Sequence, residues 1–171
     1  ERVVENGETK GYRINGSKQF ITNGGVAQLY SVLASTPEGP TFFLVEGGTP
    51  GLKPGKHESK HGIRSSNTTP VSFEDVYVPA ENLLGGVEGK GFAQLMAELP
   101  YERTLVGIGA VAAIERALRL TIEYTRDRSA FGQKLIEMQN TRFKLAEIKT
   151  LAVVARTFID RCIVQVMAGT L

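Results

Sequence analysis

The hydrophobic pattern of this 171-residue chain changes its period near residue 86, and no single type of element fits both halves. Before that point, short apolar runs are separated by Gly, Pro, Asn and Thr clusters, which is typical of β-strands joined by tight turns. After it, apolar residues recur at the spacing of a helix. We therefore predict an α+β fold with a β-domain at residues 1–86 and a helical domain at residues 87–171.

The first half predicts a small antiparallel barrel or sandwich. Asn6-Gly7 lies between two extended runs, which is a strong hairpin signal, and Asn15-Gly16 predicts a second turn. The run PVSFEDVYVP alternates apolar and polar residues, with a change of phase at Glu74-Asp75, and Pro79 ends it. Short strands separated by turn residues in this way are typical of small barrels and sandwiches.

The second half predicts two long antiparallel helices, which are half of a four-helix bundle. The segment GGVEGKG leads into the first helix as a flexible link, and Pro100 predicts a bend because proline removes a donor and clashes with the preceding turn. A loop containing Gly132 separates the helices. The second helix runs from about Gln139 to Gly169, and its predicted apolar stripe consists of Ile148, Leu151, Ala155, Phe158, Cys162, Ile163 and Val166.

A lone pair of such helices would leave a long apolar stripe uncovered. The chain also begins at Glu1 and ends without a clear stop signal. We therefore interpret it as a piece of a longer protein, as a self-associating protein, or as both.

Charge and composition exclude several classes of function. The net charge is +2 with both signs interspersed, which gives no electrostatic case for binding nucleic acid. The most apolar helical run, Leu151–Met167, contains charged residues, so we predict no membrane span. His57 and His61 have no third ligand near them in sequence, so we predict no metal site. The single cysteine, Cys162, is predicted to be a core residue and fits a reducing compartment.

Five separated blocks resemble the acyl-CoA dehydrogenases in order and spacing: GYRINGSKQFITNGG, GIRSSNTTPVSFEDVYVPAENLLG, GKGF, ERTLVGIGAVAAIERAL and RSAFGQKLIEMQNTRFKLAE. The resemblance runs from the middle β-domain of that family into the first two long helices of its C-terminal bundle. It implies a flavoprotein that binds FAD, desaturates acyl-CoA thioesters between Cα and Cβ, and passes electrons to an electron-transferring flavoprotein. The family's N-terminal domain and the end of its bundle have no counterpart here, so we expect the fragment alone to be inactive.

Glu102 is the candidate catalytic base, in the stretch LPYERTL. The residues alone favour a surface charge, which could be paired with Arg103, because most glutamates lie on the surface. The α-proton of a thioester is weakly acidic, so its base must be close and desolvated. The resemblance implies this role, because in the long-chain and isovaleryl-like branch the base lies on this helix in an LxxER setting. Arg103 would then contact the substrate or hold the helix in place. Ala93 stands where that branch commonly has a tyrosine near CoA, which loosens the assignment of acyl length.

Two other groups are implied to bind FAD. Phe20, Ile21 and Thr22 match the family strand that passes the flavin ring, although by themselves they predict only a β-strand. Arg128, Phe131 and Gln139 match a block that reaches the FAD of a neighbouring subunit, with the arginine near the pyrophosphate, which guanidinium geometry suits. This implies a homo-oligomer, a dimer or tetramer.

Three alternatives stay open from the sequence: a non-catalytic flavoprotein of the same fold, an interaction module without a cofactor, and an acyl-CoA oxidase. We predict a bacterial cytoplasmic location, with the mitochondrial matrix as the alternative.

Overall fold

The computed structural model describes all 171 residues and divides into two compact units, Glu1–Leu95 and Met96–Leu171. The first unit contains six strands: β1 (Arg2–Glu5), β2 (Glu8–Thr22), β3 (Leu29–Thr36), β4 (Gly39–Glu46), β5 (Leu52–Pro54) and β6 (Thr68–Pro79), followed by a 3₁₀ turn at Ala80–Asn82. Helix α1 (Gly91–Asp127) begins in the first unit and continues into the second. The second unit also contains β7 (Ser129–Ala130), β8 (Gln133–Lys134), a 3₁₀ turn at Leu135–Glu137, and α2 (Gln139–Met167). The predicted α+β class, with antiparallel strands and two long helices, is confirmed.

The strands of the first unit form two antiparallel sheets, one in the order β1-β2-β6-β5 and one of β3 and β4. The predicted hairpin at Asn6-Gly7 is confirmed, and its φ angles of 53° and 81° are those of a type I′ turn. Alternating side chains of β6 point into one shared core, as the predicted alternation requires. The core consists of Tyr12, Ile14, Tyr30, Val32, Phe43, Val45, Leu52, Val71, Phe73, Val76, Val78 and Leu83.

The predicted turn at Asn15-Gly16 is wrong, because β2 continues through these residues to Thr22. The pairing of β2 with β6 shifts its register between Ile14 and Gly16, opposite the change of phase in β6. Asp75 takes a φ of 54° there, and its backbone N–H donates to Asn15 Oδ1 at 2.8 Å. The two irregular dipeptides therefore oppose each other as a β-bulge, which absorbs the turn-forming residues without reversing the chain.

The glycine-rich segment before α1 is held by specific contacts, which corrects the prediction of a flexible link. The backbone N–H of Gly89 donates to Thr41 Oγ1 at 2.8 Å. A Cβ added to Gly91 would lie 2.6 Å from the Leu33 side chain and 2.8 Å from the Pro40 carbonyl oxygen. Glycine is needed here because the backbone approaches the β3–β4 hairpin closely.

Both predicted long helices are present, and α2 begins at Gln139 as predicted. Helix α1 is continuous through Pro100, and Thr104 Oγ1 donates to the Pro100 carbonyl oxygen at 2.8 Å. Helix α2 ends where predicted, with Gly169 at a φ of 65°. There the Gly169 N–H donates to the Val166 carbonyl and the Thr170 N–H to the Gln165 carbonyl, which together form a Schellman motif.

The predicted apolar stripe of α2 is only partly correct. Ala152, Ile159 and Cys162 are buried, and Ile159 and Cys162 pack with Val111 of α1, whereas Leu151 and Phe158 are 62% and 68% exposed. The helix is apolar on more than one face, and periodicity alone does not show which face meets its partner. The contact is formed by Val111, Ile159 and Cys162, with Ala155 packed against them. No helix combines the length and apolarity needed to cross a bilayer.

Candidate functional site

The strand that carries the predicted flavin contacts ends in a second bulge. Pairing of β2 with β6 shifts between Lys18 and Ile21, so Gln19 and Phe20 have no direct partner on β6. Phe20 takes a φ of 57° and is 68% exposed. Beyond the bulge, Ile21 is half-buried and Thr22 is exposed. Bulges re-aim side chains and are common beside active sites, so this local geometry fits a ligand-contacting position.

The turn after β2 is fixed by Asn67, a residue that the sequence analysis missed. The Asn67 carbonyl accepts from the Asn23 N–H at 2.8 Å, and its side-chain Oδ1 accepts from the Gly25 N–H at 2.9 Å. Gln19 Nε2 donates to Glu58 Oε1 at 2.8 Å, which ties the bulge to the same polar loop. A polar residue in a charged loop carries no sequence signal of such a distant contact.

Glu102 and Arg103 lie side by side on α1 and both are exposed. Neither takes part in any of the ion pairs of the protein. Consecutive side chains of a helix point in different directions, so the alternative of a Glu102–Arg103 pair is not realised. Of the four positions three and four residues away on the helix, Leu99, Leu105 and Val106 are apolar and Glu98 is acidic.

The surroundings of Glu102 are therefore a mostly apolar surface open to solvent, with the Glu98 carboxylate one turn before it. Leu105 is 49% exposed and Val106 is 74% exposed. These 171 residues do not by themselves supply the desolvated environment that we expect of an α-proton base. Such an environment would need further residues to cover this face of α1.

The third group of predicted residues lies within one short segment, residues 128–139. Arg128 directly follows α1, Phe131 lies at the tip of the β7–β8 hairpin, and Gln139 is the first residue of α2. The Leu135 N–H donates to the Arg128 carbonyl at 2.9 Å, which closes the hairpin. All three side chains are exposed. A guanidinium can bind an anionic group such as a diphosphate.

Both predicted aromatic contacts share an unusual backbone conformation. Phe131 takes a φ of 53° and is 95% exposed, and Gly132 follows at 78° as the second residue of a type I′ turn. Asn, Asp or Gly is the usual first residue of that turn. Of the six non-glycine residues with positive φ, three are Asn or Asp and three are large and apolar: Phe20, Ile63 and Phe131. Two of those three are residues assigned to FAD, and backbone strain of this kind clusters at functional sites.

An ionic network not predicted from the sequence joins four segments of the first unit. Arg2 Nε donates to Glu88 Oε1 at 2.7 Å and its Nη2 to Glu38 at 3.0 Å, and Tyr12 donates to Glu88 at 2.9 Å. Only 10% of the Glu88 side chain is exposed. The hydrogen bond from Arg2 holds the pKa of Glu88 below its usual value. Burial, together with the hydrogen bond to Glu88, raises the pKa of Tyr12 to about 12.

The sequence predicts no functional role for His57, His61 and Cys162. His57 and His61 are exposed, and no group of three His, Cys, Asp or Glu side chains is arranged to hold a metal ion. Lys60, in the same loop, donates to the Ser66 carbonyl and to Thr68 Oγ1, both at 2.8 Å. Cys162 is buried as predicted for a core residue.

Comparison with known proteins gives two family matches that together cover most of the chain. Residues 2–76 match the acyl-CoA dehydrogenase middle domain, and residues 89–171 match the acyl-CoA dehydrogenase C-terminal domain. The chain therefore belongs to the acyl-CoA dehydrogenase family, as the sequence resemblance predicted.

Three relatives define the similarity. The short-chain specific acyl-CoA dehydrogenase of Megasphaera elsdenii is 43% identical over 92% of this chain and 42% of its own length. The mitochondrial long-chain specific enzyme of Rattus norvegicus is also 43% identical, over 88% of this chain and 36% of its own. The crystal structure of an acyl-CoA dehydrogenase complexed with FAD from Bacillus anthracis matches with a TM-score of 0.83 and 33% identity, over 90% of this chain and 26% of that chain. The chain thus spans less than half the length of each.

Proposed function

We propose that this chain carries part of the active site of an FAD-dependent acyl-CoA dehydrogenase. The observation that carries the proposal is that Phe20 and Phe131, the two aromatic residues assigned to FAD, have left-handed backbone conformations and exposed rings. An exposed phenylalanine ring buries little apolar surface when the chain folds, and a left-handed backbone conformation costs about 1–2 kcal/mol. A bound planar ligand would offset that cost by covering the rings.

The residues present fit FAD in two places. At the end of β2, Phe20 would cover one face of the ring system, and Thr22 would donate its hydroxyl to the ring edge. At the β7–β8 hairpin, Arg128 would bind the diphosphate of a cofactor in a neighbouring subunit, and Gln139 and Phe131 would contact the same cofactor. When bound, FAD supplies the acceptor for the hydride that leaves the β-carbon.

Glu102 would accept the α-proton of the thioester. Its helix presents apolar neighbours, Leu99, Leu105 and Val106, which would exclude water once the substrate and further protein cover them. In that environment a carboxylate is a stronger base than in water. Arg103 would contact the bound substrate or hold this part of α1 in place.

The proposed partners follow from the same assignment. The substrate is an acyl-CoA, the electrons pass to an electron-transferring flavoprotein, and the active form is a homo-oligomer in which one subunit completes the FAD site of another. The short-chain and the long-chain relative are both 43% identical to this chain. We therefore use the branch assigned from LPYERTL to propose the position of the base, and we propose no acyl length. Relatives occur in a bacterium and in mitochondria, and a bacterial cytoplasmic location remains our prediction.

The test is an anaerobic titration of the full-length protein with acyl-CoAs of graded length. We expect a yellow protein whose flavin absorbance bleaches on addition of one of them. Yellow protein that no acyl-CoA bleaches would indicate the non-catalytic flavoprotein, and colourless protein would indicate the interaction module. Rapid oxygen consumption by the bleached protein would indicate an acyl-CoA oxidase.

A further inference from the structure

One loop contacts the chain on both sides of the residues assigned to the flavin at the end of β2. Loop 55–67 joins β5 to β6, and it reaches the chain both before and after residues 20–22. Before them, Gln19 Nε2 donates to Glu58 Oε1 at 2.8 Å. After them, Asn67 accepts two backbone N–H groups of the turn that follows β2. The loop therefore brackets the part of β2 where the pairing with β6 shifts its register.

Asn67 contacts the turn through both its main chain and its side chain. Its carbonyl oxygen accepts from the Asn23 N–H at 2.8 Å, and its side-chain Oδ1 accepts from the Gly25 N–H at 2.9 Å. A Cβ added to Gly25 would lie 3.1 Å from the Asn67 amide, so the side chain and the turn are in direct contact. Asn23 has a φ of 61°, so the chain leaves the extended conformation directly after Thr22. One residue thus holds two of the amides that set the shape of this turn.

The loop that carries Asn67 is itself held in place. The Gly55 N–H donates to the Pro70 carbonyl, and the Glu58 N–H donates to the Thr68 carbonyl, both at 2.8 Å. These two backbone hydrogen bonds tie the first residues of the loop to the start of β6. Because both ends of the loop are fixed to the same strand, the Asn67 side chain can act as a fixed point for the turn.

The peptide group between Gly24 and Gly25 is hydrogen-bonded at both ends. The buried Tyr30 hydroxyl donates to the Gly24 carbonyl at 2.7 Å, and Asn67 Oδ1 accepts from the Gly25 N–H. The C=O and N–H of a trans peptide point in opposite directions in one plane. Tyr30 and Asn67 together therefore fix the orientation of that plane. A Cβ added to Gly24 would lie 2.6 Å from Thr69 Oγ1, so the same peptide also lies directly against β6.

We propose that Asn67 is a positioning residue for the cofactor site at the end of β2. It fixes the Gly24–Gly25 peptide, and through the turn it fixes the direction of the Thr22 hydroxyl. The inference rests on the proposed function, in which Thr22 donates to the edge of the flavin ring. Thr22 is exposed and directly precedes the turn. Hydrogen bonds weaken steeply when their distance or angle departs from the optimum, so a turn that is free to move would weaken this contact.

The test is the dissociation constant of FAD from variants of the full-length protein, measured by titrating the apoprotein with FAD. We expect Asn67→Ala to weaken FAD binding roughly tenfold, about the effect of one lost hydrogen bond. Asn67→Asp keeps an acceptor oxygen for the Gly25 N–H, so it should bind FAD as the wild type does. Asn82→Ala is the control, because the Asn82 side chain donates to the Leu44 carbonyl at 3.1 Å and not to the turn. It should also bind FAD as the wild type does.

Amide hydrogen exchange of the same variants tests whether the effect passes through the turn. In Asn67→Ala we expect faster exchange at residues 23–25 and unchanged exchange at residues 71–76 of β6. Asn67→Leu keeps a side chain of similar volume without the oxygen, and it replaces Asn67→Ala if that variant does not fold.

Three results would overturn the proposal while leaving the proposed function intact. The first is wild-type FAD affinity in Asn67→Ala despite faster exchange of the turn, because Asn67 would then only stabilise the fold. The second is equal weakening of FAD binding in Asn67→Asp and Asn67→Ala. The third is weaker FAD binding with unchanged exchange at residues 23–25. Wild-type protein that binds no FAD would overturn the proposed function and this inference together.

Discussion

Phe131 stands where the local turn would favour a small polar residue. Its φ of 53° is the conformation that Asn adopts readily in type I′ turns, and its ring is 95% exposed. The FG dipeptide is visible in the sequence, but the strain is not, because a one-dimensional pattern does not give φ. The resemblance therefore predicts that Phe131 contacts FAD, and the physical argument for this contact comes only from the structure.

Phe131→Asn should separate stability from cofactor binding. We expect the substitution to stabilise the 171-residue chain against urea by about 1 kcal/mol, because Asn tolerates a positive φ. In the full-length protein it should weaken FAD binding roughly tenfold, because a stacked aromatic contact is lost. Phe143→Asn is the control: this ring is 63% exposed on α2 and its backbone has no positive φ. Equal FAD affinity for Phe131→Asn and the wild type would contradict the assignment.

Glu88 makes the stability of the first unit depend on pH in the acidic range. The pKa of Glu88 is lowered in the folded state, mainly by the hydrogen bond from Arg2. Its contribution to the free energy of unfolding is therefore fully present above the ordinary pKa of 4.5, and it is lost as the pH falls through the lowered pKa. We expect Glu88→Gln to reduce the urea midpoint of the β-unit at pH 7, and the difference from wild type to shrink below pH 4.5. Glu38→Gln should have a smaller effect, since that side chain is 58% exposed. A difference that stayed constant down to low pH would refute this account.

At the scale of elements, the sequence predicted where strands and helices occur better than how they end or join. Alternation placed Val71, Phe73, Val76 and Val78 in the core correctly. The Asn15-Gly16 dipeptide predicts a turn. The bulge at Asp75 that opposes it lies 60 residues away and leaves no signal in the local sequence. The glycine-rich segment before α1 likewise predicts a flexible link, because its contacts with Thr41, Leu33 and Pro40 are distant in sequence.

Glycines of α1 offer a direct test of that close approach. Gly91→Ala should destabilise the chain by about 1–3 kcal/mol, because its Cβ would collide with Leu33 and the Pro40 carbonyl. Gly109→Ala, on the same helix with nothing within 4 Å of the added Cβ, should stabilise it by roughly 0.5–1 kcal/mol. Urea unfolding of the two variants measures both values. Stabilisation by both substitutions would mean that the segment before α1 is free to move.

At the scale of the whole molecule, the two periods of the hydrophobic pattern correctly predicted a β-unit and a pair of long helices. They did not predict which face of α2 packs on α1, because the helix is apolar on several faces. The exposed apolar residues Leu151, Val154 and Phe158 are what an incomplete bundle would leave uncovered. The proposed role of Glu102 requires that further residues also cover its exposed side chain.

The most direct test of the account is the rate of flavin bleaching in full-length Glu102→Gln under anaerobic conditions. We expect FAD content and acyl-CoA binding to be retained, and the rate of bleaching to fall by roughly 10²–10⁴-fold, as for loss of a positioned general base. Glu123→Gln, an exposed glutamate in the same helix without an ion pair, should bleach at the wild-type rate. Bleaching of Glu102→Gln at a near-normal rate would place the base outside this chain and contradict the assignment.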